Sequence, residues 1–232
     1  TLRLKHTMKT FNKTLIAATT IAAFGLAAAP SALALEGTAS VATTYLFRGV
    51  EMNSGSAQVS VDVSGNNGGL TYGVWVSSGD ALGEYDLYLD YSGSMGDVGY
   101  SVGFVDYNYS KSANSLYDTL IVSTVGAVTD ATNEEIDAAL DADAGLEEAY
   151  VGFAYGPASV TYYDRQDSDY DYTVFGLDAG AASFAYGRHD MGGGEEMDHF
   201  DVSYAVNDSV SLTVSKAEDL DTVVVASYSV SF

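Results

Sequence analysis

The chain contains no cysteine, two prolines, three histidines and nine basic residues against 32 acidic ones. Without cysteine there is no disulfide framework, no thiolate zinc site and no thiol nucleophile, so side-chain burial has to hold the fold together. The shortage of lysine and arginine excludes nucleic acid as a partner and argues against anionic phospholipid surfaces, whose recognition depends on those side chains. Beyond residue 34 no apolar run approaches the ~20 residues that a membrane helix needs. Scarce proline, 47% hydrophobic residues and 18 tyrosines argue equally against a disordered acidic tail.

The longest apolar run lies near the start. Lys9 and Lys13 follow Met8, residues 15–29 are apolar, Pro30 interrupts, and Ala32, Leu33 and Ala34 set small residues at cleavage positions. Together these predict upstream residues plus a secretory signal peptide over 1–34, with the fold expected over 35–232. The leader takes Arg3, Lys5, Lys9 and Lys13 and no acid, leaving five basic residues against 32 acids, a formal charge of −27.

The remainder alternates. Val59, Val61 and Val63 interleave with Ser60, Asp62 and Ser64, and the run 66–69, Asn-Asn-Gly-Gly, is a tight-turn signal before Leu70, Tyr72, Val74 and Val76. The clearest case is Tyr85, Leu87, Leu89 and Tyr91 against Asp86, Tyr88 and Asp90, which sets carboxylates on the opposite face from leucines. Val98, Tyr100, Val102 and Phe104 follow, then Ala149, Val151, Phe153 and Tyr155, Val160 and Tyr162, Tyr172 and Val174, Ala182, Phe184 and Tyr186, Phe200, Val202 and Tyr204, and Val210, Leu212 and Val214. Val224, Ala226, Tyr228, Val230 and Phe232 oppose Ser227, Ser229 and Ser231 in the last strand. The first strand is expected from Gly37 to Arg48. Residues 110–147 break the rhythm, and Thr132–Leu140 opens with a capping-box pattern, so one long, partly helical outer loop is expected there, an extra hairpin being the competing reading.

Counted this way there are twelve strands, and their connections fall into two sets. Those at 49–56, 78–84, 110–147, 165–170, 188–197 and 217–221 include every long one; those at 65–69, 92–97, 156–158, 179–181 and 207–208 are short. With both termini in the periplasm, short periplasmic turns alternate with longer outer loops, the asymmetry of a transmembrane barrel. A secreted acidic β-sandwich that binds a ligand, the competing fold, has no reason to show it. The expectation is a single all-β, antiparallel up-and-down barrel of about twelve strands. An aromatic Phe232 closing an alternating strand resembles the signal that the β-barrel assembly machinery of the bacterial outer membrane reads.

Two segments carry a more specific resemblance. The run Thr44-Tyr45-Leu46-Phe47-Arg48-Gly49-Val50, with the segment 72–78 after it, resembles the opening of the TorF family of outer-membrane porins, also described as the Gcw_chp domain. Residues 148–156, Glu-Ala-Tyr-Val-Gly-Phe-Ala-Tyr-Gly, leading to Thr161, Tyr162 and Tyr163, are similar to that family's middle segment. The resemblance implies a Gram-negative outer-membrane barrel among lipid and lipopolysaccharide, with Tyr45, Leu46, Phe47, Arg48 and Gly49 as family-motif residues; it implies no catalytic residue and no cofactor.

Asp62, Asp86, Asp90 and Asp201 fall on the polar sides of their strands, where they line a lumen and favour cations, or else hydrate and hydrogen-bond a filled interior. Arg48 beside Phe47 anchors a lumen carboxylate or sits at an interface. The acidic loops 164–171, 195–196, 218–221 and 134–143 either hold divalent cations bridging to lipopolysaccharide or are solvated charge. His189 and His199 are the only histidines beyond the leader, and Asp201 and Ser203 lie near in sequence, an unspecific pattern for a hydrolase. No phosphate loop, nucleotide fingerprint or metal-ligand spacing occurs. The reading is a porin for passive diffusion of small cationic or neutral solutes, not an enzyme. The alternatives are a non-conducting structural or adhesive barrel with a filled lumen, and the β-sandwich.

Overall fold

The computed structural model describes residues 35–79, 83–109 and 145–232. The alternating segments form strands β1 (Leu35–Ala42), β4 (Gln58–Asn67), β5 (Leu70–Ser77), β6 (Glu84–Met95), β7 (Val98–Tyr109), β8 (Gly145–Tyr155), β9 (Ala158–Arg165), β10 (Asp171–Ala179), β11 (Ala182–Asp190), β12 (Glu196–Ala205), β13 (Val210–Ala217) and β14 (Val223–Ser231). They make one closed ring of twelve, each antiparallel to its neighbours. Two very short strands, β2 (Leu46–Phe47) and β3 (Val50–Glu51), pair only with each other.

Closure joins the two ends of the described chain. Thr38 faces Ser231 and Val41 faces Tyr228 across β1 and β14. Beyond the ladder, Gly37 and Phe232 exchange two backbone hydrogen bonds of 2.9 Å. A Cβ at Gly37 would run into the Phe232 ring, so the ring lies flat over the first strand.

Such a sheet buries one face against itself and shows the other outward. Leu87, Leu89, Val102, Phe104, Phe153, Phe175, Leu177, Phe200, Leu212 and Val214 are all exposed on the exterior. Exposed tyrosines edge this band: Tyr85, Tyr162 and Tyr186 toward the long connections, Tyr91, Tyr155 and Tyr204 toward the short turns. Inside lie Ser203, Ser211, Thr213, Ser215 and Ser227 together with buried tyrosines, so polarity is inverted relative to a soluble domain. The β-sandwich reading is overturned, because a sandwich turns its apolar faces toward each other and this sheet turns them out.

Several expectations need correction. The first strand does not reach Arg48: it ends at Ala42, and residues 44–53 turn inward, while 54–57 remain an exposed connection. Strand β8 begins at Gly145, so 145–147 belong to the wall and not to the long loop. Strands β11 and β12 likewise extend into the expected 188–197 loop and shorten it to 191–195, because Arg188 pairs with Asp198, His189 with Met197 and Asp190 with Glu196. The helix expected over Thr132–Leu140, the body of the 110–147 loop and the 1–34 leader lie outside the described residues; among the described residues there is no α-helix.

Candidate functional site

The inward segment is a hairpin. Leu46 pairs with Glu51 and Phe47 with Val50, leaving Arg48 and Gly49 as a two-residue turn. Both have positive φ, 48° and 83°, which is the backbone of a type I′ hairpin turn. Glycine takes that conformation freely, whereas arginine takes it at a cost. Gly49 is required a second way: a Cβ there would stand 2.5 Å from Cβ and Cγ of His199. The base of the hairpin is tied by Asn53, fully buried, whose Oδ1 accepts from the Tyr45 N–H at 2.8 Å and from the Thr44 hydroxyl at 2.6 Å.

The hairpin crosses the lumen from the β1–β4 wall to the opposite one. Tyr45 packs on Trp75 of β5, ring centroids 5.9 Å apart, and Phe47 meets Tyr107 of β7 edge-on at 6.1 Å. At the tip, Arg48 donates from Nη1 and Nη2 to the two oxygens of Glu148 on β8, at 2.9 and 2.6 Å. Its guanidinium carbon lies 4.5 Å from the centre of the Tyr163 ring and 4.4 Å from that of Tyr172. Glu148 also accepts from the Tyr107 hydroxyl at 3.1 Å and has the Arg165 guanidinium 3.6 Å away. Burial alone would disfavour the charged guanidinium, and the carboxylate of Glu148 is the counter-charge beside it.

The backbone of the tip is held too. His189 Nε2 lies 2.8 Å from the Arg48 carbonyl, an acceptor only, so this nitrogen carries the proton. Nδ1 of the neutral ring then accepts from the Tyr170 hydroxyl at 2.7 Å. That hydroxyl in turn accepts from Arg48 Nη1 at 3.4 Å, which closes a loop of hydrogen bonds around the tip.

The wall that receives the tip is aromatic by register. Tyr150, Tyr163, Tyr172 and His189 are direct cross-strand partners on β8, β9, β10 and β11. Their centroids run 5.2, 5.8 and 4.8 Å apart. Room for the large rings comes from interior glycines: a side chain at Gly103 would collide with Tyr150, and one at Gly73 with Tyr88.

The sequence-expected lumen acids all sit on the inner face, in three settings. Asp86 is buried beneath the hairpin beside Glu84, and its Oδ1 has no hydrogen-bond partner. Asp62 accepts from the Tyr88 hydroxyl at 3.0 Å, and Asp90 from the Tyr150 hydroxyl at 2.9 Å. Asp201 lies 3.2 Å from His199 Nδ1 and stays 18% exposed. The hydrolase pattern does not assemble: the two His199 nitrogens meet Asp201 and the Tyr172 hydroxyl, while Ser203 pairs with Thr213 at 2.8 Å. No cluster of three metal-ligating side chains occurs among the described residues.

The sequence left Arg48 two places, against an unnamed lumen carboxylate or at an interface, and the fold puts it on the buried carboxylate of Glu148. That partner was visible only as part of the second resembling segment. The two segments, 100 residues apart, meet here: Arg48 and Phe47 from the first, Glu148 and Tyr163 from the second. No signal local to either segment announces that pairing.

No family model matches the chain, and no curated protein matches it. Among solved structures, a chain from work on the in-meso crystallization of membrane proteins is similar with a TM-score of 0.50 at 11% identity, over 85% of this chain and 83% of that one. The KdgM porin is similar with a TM-score of 0.46 at 8% identity, over 85% and 97%. The outer membrane phospholipase A of Escherichia coli reaches 0.41 at 9% identity, over 84% and 91%. At 11% identity the first of these likenesses speaks to the fold alone.

Proposed function

We propose that the chain is a porin of the bacterial outer membrane, of the TorF type, which passes small cationic or neutral solutes by passive diffusion. One observation carries the reading: the closed ring has an apolar exterior edged by exposed tyrosines and an interior of hydroxyls and carboxylates. An exterior of that kind is matched to a bilayer between aromatic girdles, and closure satisfies every strand edge. The partners that follow are outer-membrane lipid and lipopolysaccharide around the belt, and the β-barrel assembly machinery reading Phe232. The role assigned to Asp62, Asp90 and Asp201 is to favour cations, because inward carboxylates set the sign of a pore's field. No catalysis and no cofactor belong to this reading.

The hairpin favours a second reading, a non-conducting barrel, because its tip spans the lumen and is anchored on the far wall. Planar-bilayer recording on the purified full-length chain separates the two. Discrete current steps, with a zero-current potential of cationic sign in a salt gradient, support the pore. Silent bilayers containing folded, heat-modifiable protein support the filled barrel and overturn the pore.

A further inference from the structure

The contacts around Arg48 have the form of a ligand site whose ligand is covalently attached. A carboxylate with a 1% exposed side chain, Glu148, offers its two oxygens to the two terminal nitrogens of the guanidinium, and two aromatic rings, Tyr163 and Tyr172, lie within 4.5 Å of the guanidinium carbon. The Tyr170 hydroxyl supplies a further polar contact. Planar fork, paired oxygens and aromatic faces select a guanidinium over a compact ammonium. Three of these residues, Glu148, Tyr163 and Tyr172, stand on barrel strands β8, β9 and β10, so the wall keeps its shape when the tip leaves it. The tip itself is the less comfortable partner, since Arg48 holds a left-handed backbone and its hairpin has only two residue pairs.

We infer that this wall is a guanidinium-binding site inside the lumen, that the chain fills it with its own Arg48, and that free guanidinium-bearing solutes compete for it. The inference rests on the pore reading for its physiological sense, since it names a solute class, but its test does not. A tethered ligand acts at an effective concentration of order millimolar or above, so a free solute displaces it only at comparable concentration. Removing the Arg48 side chain opens the site to solutes directly.

The test uses the full-length protein, folded in detergent, and methylguanidinium as probe. Arg48→Asn keeps a residue that tolerates positive φ while removing the guanidinium. Calorimetric titration is expected to show saturable one-to-one binding to this variant, at least tenfold tighter than to the wild type. Methylammonium should bind at least tenfold more weakly than methylguanidinium. Adding Glu148→Gln to the same chain should abolish the binding. Should Arg48→Asn fail to fold, Arg48→Lys keeps the charge pair while losing the fork, and methylguanidinium is again expected to bind it at least tenfold more tightly than the wild type. Absence of saturable binding, indifference to Glu148→Gln, or equal binding of the two probes overturns the site. In bilayers, methylguanidinium should reduce current through Arg48→Asn; silent bilayers beside a positive titration overturn the pore alone and leave the site standing.

Discussion

Leu89 and Thr71 are near neighbours on adjacent strands and test the inversion of polarity most directly. Leu89 lies at the middle of β6, is 50% exposed, and stands between Tyr72 and Phe104 on the outer face. Thr71 faces Asp90 across the inner side. In a barrel whose outer face meets lipid, arginine at mid-bilayer costs about 2–4 kcal/mol, whereas an inward arginine meets water and costs little. Leu89→Arg is therefore expected to shift the folding equilibrium by roughly 30- to 1,000-fold. With a urea slope of about 2 kcal/mol/M, its midpoint should drop by about 1–2 M. Thr71→Arg places its charge near Asp90 and should move the midpoint by a small fraction of that. The assay is reversible folding into liposomes under urea, followed by Trp75 emission and heat-modifiable migration. Equal midpoints for the two variants, or a larger loss for Thr71→Arg, would refute the claim that lipid covers the outer face.

Three further outcomes follow from the hairpin and the lumen acids. Gly49→Ala should undock the hairpin, because its Cβ meets His199 at 2.5 Å and its φ is +83°, while Gly55→Ala, with similar φ but nothing closer than 3.7 Å, should do so far less. Overpacking of this kind costs about 1–3 kcal/mol, and Trp75, the single tryptophan, packs on Tyr45 and should shift its emission to the red; equal emission from the two variants would sink the steric account. Glu148→Gln leaves Arg48 buried without its counter-charge, which costs about 3–5 kcal/mol, and it should release the hairpin or lower the urea midpoint; a loss below about 1 kcal/mol, typical of an exposed pair, would show that the tip is not buried. Changing Asp62, Asp90 and Asp201 together to asparagine should move the zero-current potential in a potassium chloride gradient toward zero, and an unchanged potential would refute their part in selectivity.

The strands were legible because period two is imposed on every residue when one face meets apolar surroundings and the other does not. Leu87 and Leu89 against Asp86 and Asp90 state that in five residues, and the register Tyr72–Leu89–Phe104 reproduces it across three strands. Turns were legible for an equally local reason, since Gly68 and Gly69 both need positive φ. Residues 43–57 resisted the same reading. Their alternation is blurred because the inward part, 44–53, has no outward face to set a rhythm, with Tyr45, Leu46, Arg48 and Asn53 all buried, and 54–57 are an exposed connection. What marked them was composition, an arginine between Phe47 and Gly49 in a chain with very few bases. The tyrosine wall was hidden for another reason. Tyr163 and Tyr172 sit beside outward Tyr162 and Thr173 in a run where tyrosine occupies both faces, and only pairing across strands shows which tyrosines gather around the guanidinium.

That scarcity of bases bears on how the hairpin is balanced. Arg48 and Arg165 converge on one carboxylate, Glu148, while Asp62 and Asp90 rely on tyrosine hydroxyls. Tyrosine satisfies an oxygen without neutralising it, so the inner face keeps its negative field away from the tip and loses it only where Arg48 lands. Against docking stands a left-handed arginine, a strain of about 1–3 kcal/mol. For docking stands a buried fork whose net worth is well below the cost of breaking it. Tyr45 on Trp75, Phe47 on Tyr107 and the His189 contact to the Arg48 carbonyl stand on the docked side as well. A solute competing for Glu148 therefore works against the fork and these ring contacts together, so removing the Arg48 side chain is the change that exposes the carboxylate.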